Sequence, residues 1–119
     1  MAWHFSSERP VYLQISERLT KSVLSGEIKP GEQMPTVRQL ALESAVNPNT
    51  VQRAFGHLET KGILISQGTI GRFVTTDTTV IETSRKELGD EIIKKFIKDM
   101  KQLSYSDQEI INLLKEVEE

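Results

Sequence analysis

The sequence contains no cysteine, so no disulfide can staple the chain and no thiolate can hold a metal; a reducing cytoplasm is the compartment expected of it. Histidine is nearly as scarce. His4 and His57 are the only two, and they lie in different segments with no fixed histidine–carboxylate spacing, so neither a metal site nor a catalytic base is expected. No apolar run approaches the roughly 20 residues that cross a bilayer. The opening MAWHFSSERP has neither a basic n-region nor an apolar h-region, and a soluble, unexported chain with no membrane partner is expected. Gly68 and Gly71 lack the Lys-Ser/Thr of a phosphate-binding loop and precede no helix. With no nucleophile–base set and no cofactor loop, the pattern argues against an enzyme, and no cofactor is expected.

A strong charge of one sign is missing too. The formal net charge is −2, which taken whole gives no basic footprint for a polyanion. The picture changes when the chain is divided at the polar break TTDTT, residues 75–79. Residues 1–75 carry eight Lys+Arg against six Asp+Glu, net +2, and residues 76–119 carry seven against eleven, net −4. Such asymmetry suits a phosphate-facing first part and an acidic second part turned away from phosphate. A length of 119 residues with 37% hydrophobic content suffices for one ordinary domain and a small appendage. The expected division is 1–75 and 76–119.

The most informative stretch that is present is NPNTVQRAFGHLE, residues 47–59. Val51, Ala54, Phe55 and Leu58 recur at i, i+3, i+4 and i+7, which places all four on one side of a helix over 47–61 and marks them as core. Asn47 can cap the free backbone N–H groups, Pro48 needs no N–H of its own, and Gly62 supplies the stop. The outer face then carries Asn49, Thr50, Gln52, Arg53, Gly56 and His57, rich in amide, hydroxyl and guanidinium groups and free of carboxylates until Glu59. Gln52 can read adenine by a bidentate amide contact, and Arg53 can reach guanine or a phosphate.

The flanking pattern completes a motif. Residues 10–25 read as a first helix with a Tyr12, Ile15, Leu19, Val23 stripe stopped by Gly26, and Lys29-Pro30-Gly31-Glu32 reads as a turn. Residues 36–44 read as a short second helix whose Thr36 and Gln39 have capping-box spacing, with Val37, Leu40 and Ala41 inward. A brief turn at Ala45 and Val46 leads into the third helix, giving a helix-turn-helix. Two β-prone runs, 63–66 and 72–74, are separated by Gly68 and Gly71, which predicts a hairpin. Placed after the third helix it is a wing, with Gln67, Gly68 and Thr69 at a tip small enough to approach a sugar-phosphate backbone. Arg72 beside Phe73 is either a phosphate ligand or a solvated strand residue.

From Val80 onward the composition is helical and charged. Leu88, Ile92, Phe96, Met100 and Leu103 follow a four-residue step widened by Ile93 and Ile97, predicting a helix of about 20 residues with one apolar face. Ser106 to Glu109 is a capping box for a last helix carrying Ile110, Ile111, Leu113, Leu114 and Val117. Two such helices cannot enclose a core alone. The simplest cover is the same pair from a second copy, so Leu88, Ile92, Ile93, Phe96, Ile97, Met100, Ile110 and Leu114 are candidate dimerisation residues. Lys94, Lys95, Lys98 and Lys101 alternate with Asp90, Glu91 and Asp99, the pattern of a solvated helix face. The fold class expected is mainly α with a small β-hairpin: a winged helix-turn-helix followed by a two-helix dimerisation arm.

With those residues in hand, PVYLQISERLTKSVLSGEIKPGEQMPTVRQLALESAVNPNTVQRAFGHLETKGILISQGTIGRFV, residues 10–74, resembles the amino-terminal part of GntR-family transcriptional regulators. The short helical end is similar to that of the YtrA-type branch, since other branches carry large effector-binding domains there. The resemblance implies a cytoplasmic winged-helix homodimer that binds a palindromic double-stranded DNA operator and represses transcription. It also implies site residues. Arg38 in PTVRQLA matches the family arginine that contacts phosphate from the second helix. Asn47, Asn49 and Thr50 match the start of the recognition helix, and Gln67 and Gly68 fall at the wing tip. Pro48 and Gln52 stand where some members have arginines, so base contacts of those members do not transfer and the operator sequence stays open. Two further partners remain open: an unidentified effector, in a pocket between subunits or between Trp3, Phe5 and the arm, and a protein ligand, if the winged helix is an interaction module without sequence-specific DNA binding. Trp3 and Phe5 are otherwise expected to dock on the domain or on a partner subunit.

Overall fold

In a computed structural model, whose described residues are 3–117, these residues form five helices and one two-stranded antiparallel ribbon. The order is α1 (Val11–Leu24), α2 (Val37–Ser44), α3 (Pro48–Thr60), β1 (Leu64–Gln67), β2 (Gly71–Val74), α4 (Thr78–Gln102) and α5 (Asp107–Glu116). The fold is mainly helical with a small hairpin, as the periodicity predicts. The helices begin where their caps lie. In α2 the Gln39 backbone N–H donates to Thr36 Oγ1 at 3.0 Å while the Thr36 N–H donates to Gln39 Oε1 at 2.8 Å, closing the capping box. In α3 the Asn49 N–H donates to Asn47 Oδ1 at 2.7 Å, with Pro48 in the first turn. That helix ends in a Schellman arrangement: Gly62 takes φ +78°, and the Ile63 N–H donates to the Leu58 carbonyl at 3.0 Å.

Ile15, Val51, Phe55, Leu58, Ile63, Leu64 and Val74 are the fully buried centre of the core. They come from α1, α3, the ribbon and the residue that leads into it, so the face of α3 read as core is core. Trp3 and Phe5 pack against this cluster, and the Arg18 guanidinium lies 4.0 Å over the Trp3 ring. Of the two expected docking places, the domain is the one seen. Arg9 grips Glu17 through two N–H donors, at 2.8 and 2.6 Å, which holds the Glu17 carboxyl below the usual carboxylate range.

The ribbon pairs Leu64 with Val74, Ile65 with Phe73, Ser66 with Arg72 and Gln67 with Gly71. It lies one residue later at the end of its first strand, and starts one earlier in its second, than the β-prone runs suggest. Its other edge is not free. Gln33 bridges Phe73, the Met34 N–H donates to the Arg72 carbonyl at 2.8 Å, and the Val74 N–H donates to the Glu32 carbonyl at 2.9 Å. The segment after the Lys29–Glu32 turn therefore covers the outer strand, closing backbone groups that an open edge would leave unpaired.

The chain divides into two compact units, the first running through Thr83 and the second starting at Ser84. The first unit thus extends past residue 75, because the TTDTT stretch is not a linker throughout. Asp77 caps α4, its Oδ1 accepting from the Thr79 N–H at 3.0 Å and its carbonyl from the Val80 N–H at 3.1 Å. Thr78 and Thr79 are helical in consequence, Val80 packs on the core and Ile81 is buried. In the second unit Ser106 and Glu109 form the expected capping box, and the two Ser106 contacts hold the Glu109 carboxyl below its ordinary range. Lys86–Asp90 and Lys95–Asp99 pair along the solvated face of α4, and Lys101 pairs with Asp107 at 3.1 Å.

Candidate nucleic-acid interface

Burying Val51, Ala54, Phe55 and Leu58 on one side of α3 fixes what the other side presents. Asn47, Pro48, Asn49, Gln52 and Arg53 are exposed, and Thr50, Gly56 and His57 are half-buried at the flanks. The first turn holds no acidic residue, so the positive end of the helix dipole is unopposed. Arg38 is exposed on α2, which packs on α3. At the ribbon tip Gln67 and Gly68 are exposed, Gly68 takes φ +54°, and the Ile70 N–H donates to the Gln67 carbonyl at 3.0 Å, closing the turn. The first unit thus holds all nine sequence-predicted DNA-facing residues on three neighbouring elements.

Three features of this surface were missed from sequence. First, the Arg53 guanidinium carbon lies 3.9 Å over the Tyr12 ring, and His57 meets the same ring edge-on, with centroids 6.3 Å apart at 82°. Tyr12 belongs to the stripe of α1, but only half-buried, with its face turned to α3. Second, Arg72 has a partner that neither of its two sequence readings named. Its Nε donates to Glu59 Oε1 at 3.1 Å and its guanidinium stands 5.1 Å from the Phe55 ring, so it ties the ribbon to α3 and neutralises the one carboxylate of that helix. Third, Gln33 Nε2 donates to the Ile70 carbonyl at 3.0 Å and anchors the ribbon tip from across the turn. Gly71 makes room for it: its φ is +132°, and a Cβ there would meet Gln33 Nε2 at 2.9 Å.

The candidate dimerisation residues of the second unit divide by exposure. Ile92, Ile93, Phe96 and Leu114 are exposed, all but Phe96 by more than half, while Leu88, Ile97 and Met100 are half-buried. Ile110 is 5% exposed within its own chain, and Ser104 in the turn before α5 takes φ +69°. Among the described residues no group of His, Cys, Asp and Glu side chains could hold a metal, and no helix is long and apolar enough to cross a membrane.

Comparison with known proteins bears on this surface directly. The profile of bacterial regulatory proteins of the gntR family matches residues 11–74. The HTH-type transcriptional regulator YhcF of Bacillus subtilis is 32% identical over 111 residues, 93% of this chain and 92% of YhcF. The HTH-type transcriptional repressor YtrA of the same organism is 33% identical over 88 residues, 72% of this chain and 68% of YtrA. Among solved structures, a GntR family transcriptional regulator from Listeria monocytogenes superposes with a TM-score of 0.88 at 31% identity, covering 96% of this chain and all of the other (100%). The DNA-binding domain of AraR, solved in complex with an operator, superposes at 0.58 with 27% identity over 63% of this chain and 99% of that domain.

Proposed function

Because the chain belongs to the GntR family of bacterial regulatory proteins, we propose that it acts as a repressor, binding a palindromic operator as a two-fold homodimer. Its relatives are transcriptional regulators, not enzymes. The observation that carries the reading is the two-sidedness of α3: Val51, Ala54, Phe55 and Leu58 are at most 1% exposed, and Asn47, Pro48, Asn49, Gln52 and Arg53 face outward. In this mechanism each subunit lays α3 in a major groove, Gln52 and the residues around Asn49 and Thr50 meet base edges, and Arg38 and the ribbon tip at Gln67 and Gly68 fix the register through phosphates. Polymerase is then blocked by occupancy.

The helices after residue 76 serve as the dimerisation arm. Ile92, Ile93, Phe96 and Leu114 are exposed apolar side chains on a charged segment, which a second copy would cover by an isologous contact. Linking two half-sites turns the second binding event into an intramolecular one, so the arm contributes more affinity than any single base contact. An effector that shifts the arm would act on this coupling.

Footprinting the purified chain on its own upstream DNA, followed by a salt titration on the protected duplex, tests the reading. A two-fold footprint is expected. With Arg38 and Arg53 as phosphate ligands in each of two subunits, log affinity should fall with log salt at a slope of about −4. Phe96→Glu should give a monomer and weaken the operator more than Gln52→Ala does. Binding that ignores both salt and duplex sequence would leave a protein-interaction module instead.

A further inference from the structure

We propose that Tyr12 is a positioning residue for DNA binding: its ring holds the Arg53 guanidinium at the flank of α3, edge outward, to grip a backbone phosphate. This rests on the operator-binding reading and adds a residue of α1, an element from which the sequence reading named no DNA-facing residue. Arg53 is the single Lys or Arg of α3. Its carbon lies 3.9 Å from the Tyr12 centroid, over the ring. Stacking of that kind leaves the in-plane N–H donors unspent. Two other arginines of the first unit differ: Arg9 gives its donors to Glu17 and Arg72 gives its Nε to Glu59, whereas Arg53 has no carboxylate in ion-pair range among the described residues.

The ring is itself held. Tyr12 packs against the core cluster at the α1–α3 contact, and His57, one turn beyond Arg53, braces it edge-on. An arginine free in solvent must give up rotamer freedom when it grips a ligand. One already laid on a fixed ring gives up less. Position selects the ligand: the contact holds Arg53 beside α1, and a guanidinium held at the flank of a groove-bound helix is suited to a backbone phosphate.

The test uses the full chain, its footprinted operator and a scrambled duplex of equal length, with fluorescence anisotropy across a salt series. Tyr12→Leu should weaken both duplexes by about two- to fivefold, the equivalent of an exposed cation–π contact, and Tyr12→Phe should match the unaltered chain. Arg53→Gln should weaken both duplexes alike and reduce the salt slope by about 0.9 per subunit. In the Arg53→Gln background, Tyr12→Leu should cost nothing further. An equal loss in both backgrounds would reduce Tyr12 to a packing residue and overturn the proposal. So would an Arg53→Gln chain that changes base preference while keeping its slope. If Tyr12→Leu melts early, Tyr12→Met, flexible and without a π face, gives the same comparison. An unaltered chain that binds neither duplex overturns the operator reading along with this one; an unaltered chain that binds, with Tyr12→Leu equal to it, overturns this one alone.

Discussion

Replacing Arg72 with leucine separates a tie between recognition helix and wing from a contact to DNA. The Nε–Oε1 distance to Glu59 is 3.1 Å, and the two side chains are 21% and 28% exposed. A fully exposed ion pair contributes about 0.2–1 kcal/mol, and a hydrogen bond to a charged group about 1.5–3 kcal/mol when shielded. A single-donor contact at this exposure falls between them, near 1 kcal/mol, and the 5.1 Å approach to Phe55 adds roughly 0.5 kcal/mol. Arg72→Leu should therefore destabilise the first unit by about 1–2 kcal/mol. Melting followed by circular dichroism at fixed protein concentration should drop by about 5–15 °C. Glu59→Gln should lose a similar amount, and the double variant little more, since both remove one interaction. The salt slope of DNA binding should not move. A melting temperature unchanged within about 1 °C, with a slope reduced by about 0.9, would refute the tie and make Arg72 a phosphate ligand.

Two other outcomes follow from the same unit. Phe55→Ala removes the largest fully buried side chain and should cost about 3–5 kcal/mol, enough that urea unfolding at 25 °C finds a populated unfolded fraction; a loss under 1 kcal/mol would mean that α3 is not fastened by this seam. Gly71→Ala puts a Cβ 2.9 Å from Gln33 Nε2 at φ +132° and should cost about 1–3 kcal/mol of backbone strain. Adding Gln33→Ala should relieve the clash but not the strain, and because it also removes the Gln33–Ile70 hydrogen bond, the double variant should still melt below the unaltered chain.

Local patterns were legible and long-range pairings were not. The core face of α3, its Asn47 cap, the Thr36–Gln39 and Ser106–Glu109 boxes and the stop at Gly62 all depend on residues within a turn of one another, and the structure repeats them. Arg53 on Tyr12, Arg72 on Glu59 and Gln33 on the Ile70 carbonyl join segments far apart in sequence. A lone arginine gives no sign of whether a ring, a carboxylate or solvent receives it. The edge segment at Gln33 pairs through a single bridge, too short for a two-residue alternation to register. Asp77 illustrates a third case: TTDTT reads as a polar break by composition, but one carboxylate at the N-cap is enough to start α4 inside it. Ile110, 5% exposed within this chain, is a related case, since periodicity marks a side chain as apolar without saying whether its own chain or a second copy covers it.

A chain of net charge −2 meets a polyanion only if its charges are sorted, and the contacts show how the sorting is done. Of the six carboxylates in residues 1–75, Glu17 is held by Arg9 and Glu59 by Arg72. Glu59 is the one acid on α3, at its C-terminal end, where the helix dipole already disfavours an anion. Pairing it with Arg72 clears the surface that would lie against phosphate. The same pairing also spends a cation, and Arg9 and Arg18 are engaged with Glu17 and the Trp3 ring. Few positive charges then remain for DNA, and the surplus of acid lies in residues 76–119. Under the proposed operator binding, the expected consequence is a weak sequence-independent attraction, with discrimination falling to the amide and hydroxyl groups of α3. For a regulator that must find one site among a genome of competing duplex, low background occupancy raises the specificity ratio even where it lowers absolute affinity.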